Sequence, residues 1–569
     1  MSSTASTHDV IIMGGGLAGL TLALQLRQAL PELKVLVLER RSHPVPEACH
    51  KVGESTVEIG AHYFANVLGL KEHLDTAQLK KFGFRFFFSE GRSDIEGVTE
   101  LGASRPLPVG SWQIDRGIFE NFLGQEVQRR GICFTHNALI RELKLADQTP
   151  ANAPHTVTWQ VGALPPQTAQ ARWVIDACGR AGLIKKKLGL ARENAHAAHA
   201  VWFRVKGHIK PDEWSADPAW RSRCATPTRW LSTNHLVGAG YWVWLIPLSS
   251  GSHSVGIVAD PRWHALDRMN TFERAMDWLQ EFQPRLFTEL DGKRDQLQDF
   301  AFFKRFSYDC EQVFSDRRWA MAGESGRFLD PFYSPGSDFI AIGNTYITDL
   351  VVRDHAGKSI AAHAQIYEQI FRSFYDNTLA LYVDQYGIFG DPEVLPLKVF
   401  WDYTYYWGVL ARLYYQGGLT DLLALQHLRD ELGSMQQLNL AMQNFVRELC
   451  QHSRKRNHAI LLDQAALPWF VELNRSLNDR ASGEQFRAVL QAANRQLRQL
   501  ATEILDRSVG EHPQMDGAAL QGAIEDAGGL VRGQGSLLFP ALQDEAEAAV
   551  QPAVQLAAQP AAQPNAQPA

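Results

Sequence analysis

The sequence predicts a mixed α/β fold in which a parallel βαβ layer interleaves with an antiparallel sheet and gives way to a mainly α-helical C-terminal region. Three observations predict it. The chain opens on a strand, a glycine turn, an apolar-periodic helix and a second strand, the pattern of a parallel βαβ unit. Runs of period two recur between residues 82 and 258. From about residue 344 to about residue 507 the apolar pattern turns helical.

In order along the chain, Val10-Ile11-Ile12-Met13 reads as a short buried strand, 14–19 as the turn, 20–30 as a helix followed by Pro31, and 34–38 as the second strand. Phe82, Phe84, Phe86 and Phe88 alternate with Gly83, Arg85 and Phe87. On one continuous strand that sets Lys81 on the face of Gly83 and Arg85, opposite the phenylalanines. Residues 112–115 read as a strand, 118–129 as a helix, and 148–154 as a polar hairpin tip between Leu143 and Val157. Residues 173–176 form a strand running into Gly179, and 199–205 another. Residues 241–258 form a hairpin turning at Ser249-Ser250-Gly251-Ser252. This divides the chain into 1–344, with the interleaved sheet at about 80–115 and 198–320, a helical region at 345–540, and a tail at 541–569. The tail is rich in Ala, Gln and Pro without an aromatic residue, and is expected to be disordered.

Composition narrows the function. The 569 residues carry 56 Lys+Arg against 62 Asp+Glu, a net charge of -6, which argues against a nucleic-acid footprint. Six scattered cysteines form no CxxC pair, so neither a disulfide framework nor a zinc ribbon is expected, and a reducing cytoplasm suits them. Residues 1–8 show neither a basic nor an apolar leader region, so no signal peptide is expected, and no run of 18 apolar residues suggests a membrane span. His196 and His199 lack supporting ligands, so no metal is assigned.

Gly14-Gly15-Gly16-Leu17-Ala18-Gly19 fits G-x-G-x-x-G. Gly14 permits the tight turn, Gly16 lets backbone approach a pyrophosphate, and Gly19 allows close helix–sheet packing. The helix start at Leu17 and Ala18 then offers free N–H groups to phosphate. Glu39, with Arg40 beside it, ends the second strand and is placed to accept from ribose hydroxyls. Two later stretches identify the dinucleotide. Val174-Ile175-Asp176-Ala177-Cys178-Gly179-Arg180 and Trp319-Ala320-Met321-Ala322-Gly323-Glu324-Ser325 resemble, in this order, the downstream FAD contacts of glutathione-reductase-like flavoproteins. That family usually has Asp where this chain has Glu324. Cys178 in the first stretch reads as a small packing residue. A second Rossmann domain for NAD(P)H is not visible.

Further motifs sharpen the resemblance. Trp242-Val243-Trp244-Leu245-Ile246-Pro247 matches W-x-W-x-I-P, and Phe328-Leu329-Asp330-Pro331-Phe332-Tyr333-Ser334-Pro335-Gly336 matches F-x-x-P-x-x-S-x-G. Val52-Gly53-Glu54-Ser55-Thr56 and Lys80-Lys81-Phe82-Gly83-Phe84 complete an ordered set over roughly residues 8 to 350. Together they resemble the flavin-dependent halogenases. The resemblance implies FAD, supplied as FADH2 by a separate flavin reductase, with O2 and chloride or bromide as co-reactants. Hypohalous acid made at the flavin would travel to a lysine and from there to an electron-rich arene. Lys81 is the expected lysine, with Lys80 the fallback. Trp242, Trp244, Ile246 and Pro247 would form the wall that keeps flavin and substrate apart. Lys51, Gly53, Glu54, Ser55, Arg116, Phe328 and Pro331 would add to the FAD site, with His50 near the ring, and the halide would lie against backbone amides at Ser334, Gly336 and Ser337.

Two residues depart from the tryptophan-specific members. Pro335 has no N–H where a donor amide stands in them, and Tyr333 replaces a glutamate that assists arene deprotonation. The resemblance therefore points to phenolic, pyrrolic or carrier-tethered aryl substrates. The aromatic-rich stretch 395–417 reads as core, with part of it open to an aryl pocket. Alternative readings are an FAD-dependent aromatic monooxygenase and an FAD-binding protein without halogenating activity.

Overall fold

The structure is a computed structural model that describes residues 6–47, 51–146, 153–533 and 535–538. The tail at 541–569, His50 and most of the hairpin tip at 148–154 lie outside the described residues.

The βαβ start forms as expected: β1 (Ser6–Met13), α1 (Leu17–Ala29) and β2 (Val35–Leu38). These strands belong to a seven-stranded sheet ordered β7 (Cys133–Thr135), β2, β1, β10 (Gln167–Asp176), β9 (His155–Val161), β8 (Ala138–Lys144), with β18 (Trp319–Met321) on the far end of β10. The pairings from β7 to β10, and that of β10 with β18, are parallel. The β8–β9 hairpin and its pairing with β10 are antiparallel. The βα turn is tight because Gly14 takes φ +114° and a Cβ on Gly19 would stand 2.0 Å from the Gly14 carbonyl oxygen.

A second sheet of eight strands carries the site's far wall. Its order is β16 (Leu297–Phe303), β12 (His199–Lys206), β15 (Ser252–Ala259), β14 (Tyr241–Pro247), β13 (Thr233–Gly238), β4 (Phe84–Phe87), β5 (Glu100–Gly102), β19 (Leu461–Asp463). It is mixed rather than antiparallel, since β13–β4 and β5–β19 are parallel. Neither parallel pair is joined by a hairpin; each brings together strands distant in sequence. Small antiparallel pairs, β3 (Leu79–Lys81) with β6 (Ser111–Gln113) and β11 (Ala191–Arg192) with β17 (Asp309–Cys310), flank it.

Both faces of this sheet are covered, which explains why β13, β14 and β15 are buried at every residue. On β14 the alternation sorts side chains between two cores. Trp242, Trp244 and Ile246 join the core shared with the first sheet, whereas Tyr241, Val243 and Leu245 face the core under the helices Phe272–Phe282 and Pro284–Asp291.

The continuous strand expected from residue 82 does not form. Gly83, at φ +82°, separates β3 from β4. Lys81 therefore escapes the expected alternation, and its ammonium sits 3.5 Å above the Phe84 ring, beside a phenylalanine rather than opposite.

Helix α2 (Glu58–His62) follows the Val52–Thr56 stretch, α3 (Arg116–Arg129) follows β6, and α4 (Gly336–His355) starts the helical part and runs through residue 344. The aromatic stretch 395–417 is spread over a helix, Val394–Tyr405, a π-helical turn, Tyr406–Leu410, and a further helical turn, Ala411–Tyr415, and is mostly buried. The helical region also returns a strand, β19, to the second sheet. Among the described residues no helix is long and apolar enough to cross a membrane.

One buried carboxylate ties α4 to the first sheet. Asp354 accepts from Arg172 at 2.5 and 2.7 Å, from the Trp173 indole at 2.9 Å and from Arg318 at 3.0 Å. Burial opposes its charge, but these donors outweigh it and hold the carboxyl below the ordinary range. Asp354→Ala should cost about 2–3 kcal/mol in urea unfolding, because it strands paired cations. The stabilisation is complete above the unfolded carboxyl pKa and fades as pH falls through the lower native value.

Candidate active site

A cavity of about 470 Å³ opens where the C-terminal ends of the parallel strands meet the second sheet. That is the usual ligand position in open α/β sheets, and the volume falls in the ordinary ligand range. Gly14, Gly16, Leu17 and Ala18 form its floor. Gly16 caps α1 without a side-chain cap, and the first helical bond runs from the Leu20 amide to the Gly16 carbonyl at 3.0 Å. The preceding amides lie outside the helix's own ladder and face an anion site. A Cβ on Gly16 would meet nothing within 4 Å, so the open space above it is cavity.

Glu39 and Arg40 stand at the β2 end of the wall. The Glu39 carboxylate accepts from the Gly15 amide at 2.7 Å and the Arg41 amide at 2.8 Å, which orients it while leaving lone pairs for a hydroxyl. Lys51, Gly53, Glu54, Ser55 and Arg116 line one side. Glu54 is held by Arg204 at 2.6 Å, and Glu120 by Lys51 and by Arg116 at 2.6 Å. Gly323, Glu324, Phe328 and Pro331 line the other side. Glu324 opens on the cavity but lies deep in the protein; burial pushes its carboxyl up, against the pull of Arg180, Arg116 and Lys185. A free helix start, a strand-end carboxylate and flanking glycines suit FAD.

Asp176 does not reach the wall. It is fully buried and accepts from the Cys178 amide at 3.0 Å and the Ile184 amide at 2.8 Å, so it shapes the turn behind the cavity. Gly19 likewise acts behind the floor. Cys178 is on the wall, its thiol turned to the Met13 carbonyl at 3.2 Å.

Trp242, Trp244 and Ile246 close the cavity on the side of the second sheet; Pro247, at the end of β14, is not on the wall. The indole centroids are 5.8 Å apart. The Trp242 N–H donates to Tyr386 at 3.1 Å, and Tyr386 donates to Asp330 at 2.5 Å. The Trp244 N–H donates to Ser254 at 3.1 Å.

Ser334, Gly336 and Ser337 all touch the cavity. The Ser334 amide, however, is engaged by the Pro331 carbonyl at 2.8 Å in a turn where Ser334 takes φ +53°. The free donors are the first amides of α4, from Gly336 onward, with Pro335 as its cap.

Lys81 is not on the cavity wall. It is 6% exposed and donates to the Ser55 hydroxyl and the Thr56 carbonyl, both at 2.9 Å. Ser55 also bonds Thr233 at 2.8 Å, and both line the cavity, so one hydroxyl layer separates Lys81 from it. Burial lowers the Lys81 amine, and Glu58 and Asp338 draw it part of the way back, to about 7. Asp338 is raised to about 7 by burial, although Tyr406 and the Gly60 amide hydrogen-bond to it. Lys80 is exposed and lies over Trp112 at 5.3 Å.

The stretch 395–417 contributes nothing to the cavity wall; Tyr406 instead ties Asp338 to α2 through the Ile59 amide at 3.1 Å. Tyr333 donates to Asp402 at 2.7 Å. Sequence reasoning missed Thr233, His235 and Asp330 on the wall. The period-two placing of Thr233 and His235 was the available signal, but their position depends on the β13–β4 pairing. Among the described residues no cluster suits a metal ion.

Gly16→Val should separate folding from binding. The melting temperature should stay near that of the parent, while FAD affinity in a fluorescence titration falls at least about tenfold, since the new methyls occupy pyrophosphate space.

Comparison with known proteins bears on the whole site. Residues 12–75 match the family model of an NAD(P)-binding Rossmann-like domain. The flavin-dependent halogenase chlA of Dictyostelium discoideum is 24% identical over 435 residues, 72% of this chain and 70% of that protein. A 1H-pyrrole-2-carbonyl peptidyl-carrier-protein chlorinase of Pseudomonas fluorescens is 26% identical over 64% of this chain and 80% of its own. The crystal structure of halogenase PltM superposes with a TM-score of 0.60 over 92% of this chain and 100% of that chain at 17% identity, a likeness of fold. This chain is thus similar, over most of its own length and that of its curated relatives, to flavin-dependent halogenases, and it shares the fold of a solved halogenase almost end to end.

Proposed function

We propose that the protein is an FADH2- and O2-dependent halogenase that delivers hypohalous acid through Lys81 to an electron-rich aromatic substrate. The observation that carries the reading is a buried lysine one hydroxyl layer behind a dinucleotide cavity that two tryptophans close. FAD of the glutathione-reductase-like type, when bound and reduced, supplies the electrons with which O2 oxidises the halide.

The chain's own residues do the rest. Leu17 and Ala18 amides meet the pyrophosphate, and Glu39 the ribose. Lys51, Gly53, Glu54, Ser55, Arg116, Gly323, Glu324, Phe328 and Pro331 surround the remainder, and Gly336 and Ser337 amides hold the halide. Trp242, Trp244 and Ile246 keep the arene from the flavin. Lys81, uncharged above about pH 7, takes the halogen as an amine nucleophile and passes it on. Tyr333 stands where no carboxylate assists, which favours phenols and pyrroles that activate their own ring. Two relatives named for carrier-tethered pyrroles, a brominase and a chlorinase, support a carrier-bound substrate. A separate flavin reductase supplies the FADH2, and free thiols suit a cytoplasmic setting. The flavin unit extends to about residue 344, a boundary inside α4, and the mainly helical addition after it lends β19 to the second sheet.

The test combines FAD, a flavin reductase, NADH, O2 and an electron-rich phenol, with bromide and then chloride. Halide-dependent product should form, and Lys81→Ala should lower it at least about 100-fold. Oxygenated product that ignores halide would point to the monooxygenase, and tight FAD binding without turnover to an inactive scaffold.

A pH profile tests the amine. Glu58, Asp338 and His235 are the titratable groups whose charges act on or feel Lys81, so the midpoint belongs to the cluster. Product per FADH2 consumed should rise with pH through about 7, as the ammonium loses its proton. Lys81→Arg, charged throughout, should stay low and flat.

A further inference from the structure

The wall between the cavity and Lys81 is mostly engaged with itself. The Trp242 and Trp244 N–H groups are bonded to Tyr386 and Ser254. The Ser55 and Thr233 hydroxyls are bonded to each other, to Lys81 and to Gln113. His235 differs. It is fully buried, it lines the cavity, and neither ring nitrogen has a hydrogen-bond partner among the described residues. Two unpaired polar atoms in a packed core are costly, and native folds seldom keep them without a use.

Packing alone holds the ring. It stacks on Phe86 at 4.8 Å and 18°, and meets Phe84 edge-on at 5.3 Å, Trp242 at 5.1 Å and Phe332 at 5.2 Å. Phe84 is the ring that carries the Lys81 ammonium on its face. The geometry follows from register: Thr233 and His235 share one face of β13, and the parallel pairing sets them beside Phe84 and Phe86. The imidazole thus stands between the Trp242 side of the cavity and the ring under Lys81, its nitrogens shielded from solvent and near the Phe332, Thr233 and Arg85 carbonyls, but with no hydrogen bond of good geometry to them.

We infer that His235 is the passage residue, which accepts the O–H hydrogen bond of hypohalous acid leaving the cavity and hands the molecule on to Lys81. This rests on the halogenase reading above. Burial first, and the Lys81 charge second, hold the imidazole at about 3, with carbonyls of Phe332, Thr233 and Arg85 only partly offsetting them. The ring therefore stays uncharged at working pH and keeps one bare nitrogen and one N–H. An uncharged acceptor suits an uncharged oxidant and does not retain halide ions. No covalent bond changes at His235.

The test needs no turnover. Hypochlorous acid is added in small doses to the FAD-loaded protein without reductant. At Lys81, HOCl and the amine give N-chloroamine and water: an N–Cl bond forms, the O–Cl bond breaks, the amine proton leaves in the water, and no electrons are gained or lost. Peptide mass spectrometry reads Lys81 chlorination against exposed Lys80 in the same molecules, at matched FAD occupancy. His235→Phe, which keeps a ring without nitrogens, should lower the Lys81-to-Lys80 ratio at least about fivefold, and His235→Gln, which restores acceptor and donor, should return it to within about twofold. A ratio in His235→Phe within about twofold of the parent overturns the proposal, as does equal loss in both variants, which marks packing rather than nitrogen. The halogenation assay fails or succeeds separately, so the two claims are distinguishable.

Discussion

The alternation along β14 is the constraint on which the rest of the structure depends. Trp242, Trp244 and Ile246 point to the cavity because a strand's side chains alternate, and Tyr241, Val243 and Leu245 point the other way into a second core. A slip of one residue would exchange the two sets and open the wall. Register is fixed on both edges, by the β15 hairpin and by β13, and β13 in turn aligns Thr233 and His235 with Phe84 and Phe86. One strand's register thereby sets the indoles, the passage and the phenylalanine beneath Lys81.

The electrostatics follow from burial rather than from net charge. Lys81, Glu58 and Asp338 all lie deep in the protein, and desolvation drives each toward its uncharged form. The -6 charge of the whole chain has little say at such a site. What the fold supplies is a lysine whose amine loses its proton near neutrality, held by Ser55 and the Thr56 carbonyl, close to the cavity but out of it.

Local signals in the sequence carried much of this. The glycine turn, the β8–β9 and β14–β15 hairpins and the shared face of the two tryptophans depend on neighbouring residues, and each was legible. Several misses arise where distant segments decide. Gly83 breaks the phenylalanine strand, so the face of Lys81 could not be read by counting. Not every miss is long-range: Asp176 and the Ser334 amide are taken by backbone partners two to eight residues away, in turns whose geometry the motif spacing does not show. His235 acquires its surroundings from a parallel pairing between strands that no loop connects, and β19 joins its sheet from the far end of the helical region. Spacing within a motif says nothing of such pairings.

The central claim is that a freed oxidant, and not the flavin's activated oxygen, meets the arene. Turnover under oxygen-18 gas with bromide and a phenol tests it most directly. The account predicts a brominated phenol carrying no oxygen-18. An oxygen-18-labelled hydroxylated product, formed whether or not bromide is present, would contradict it.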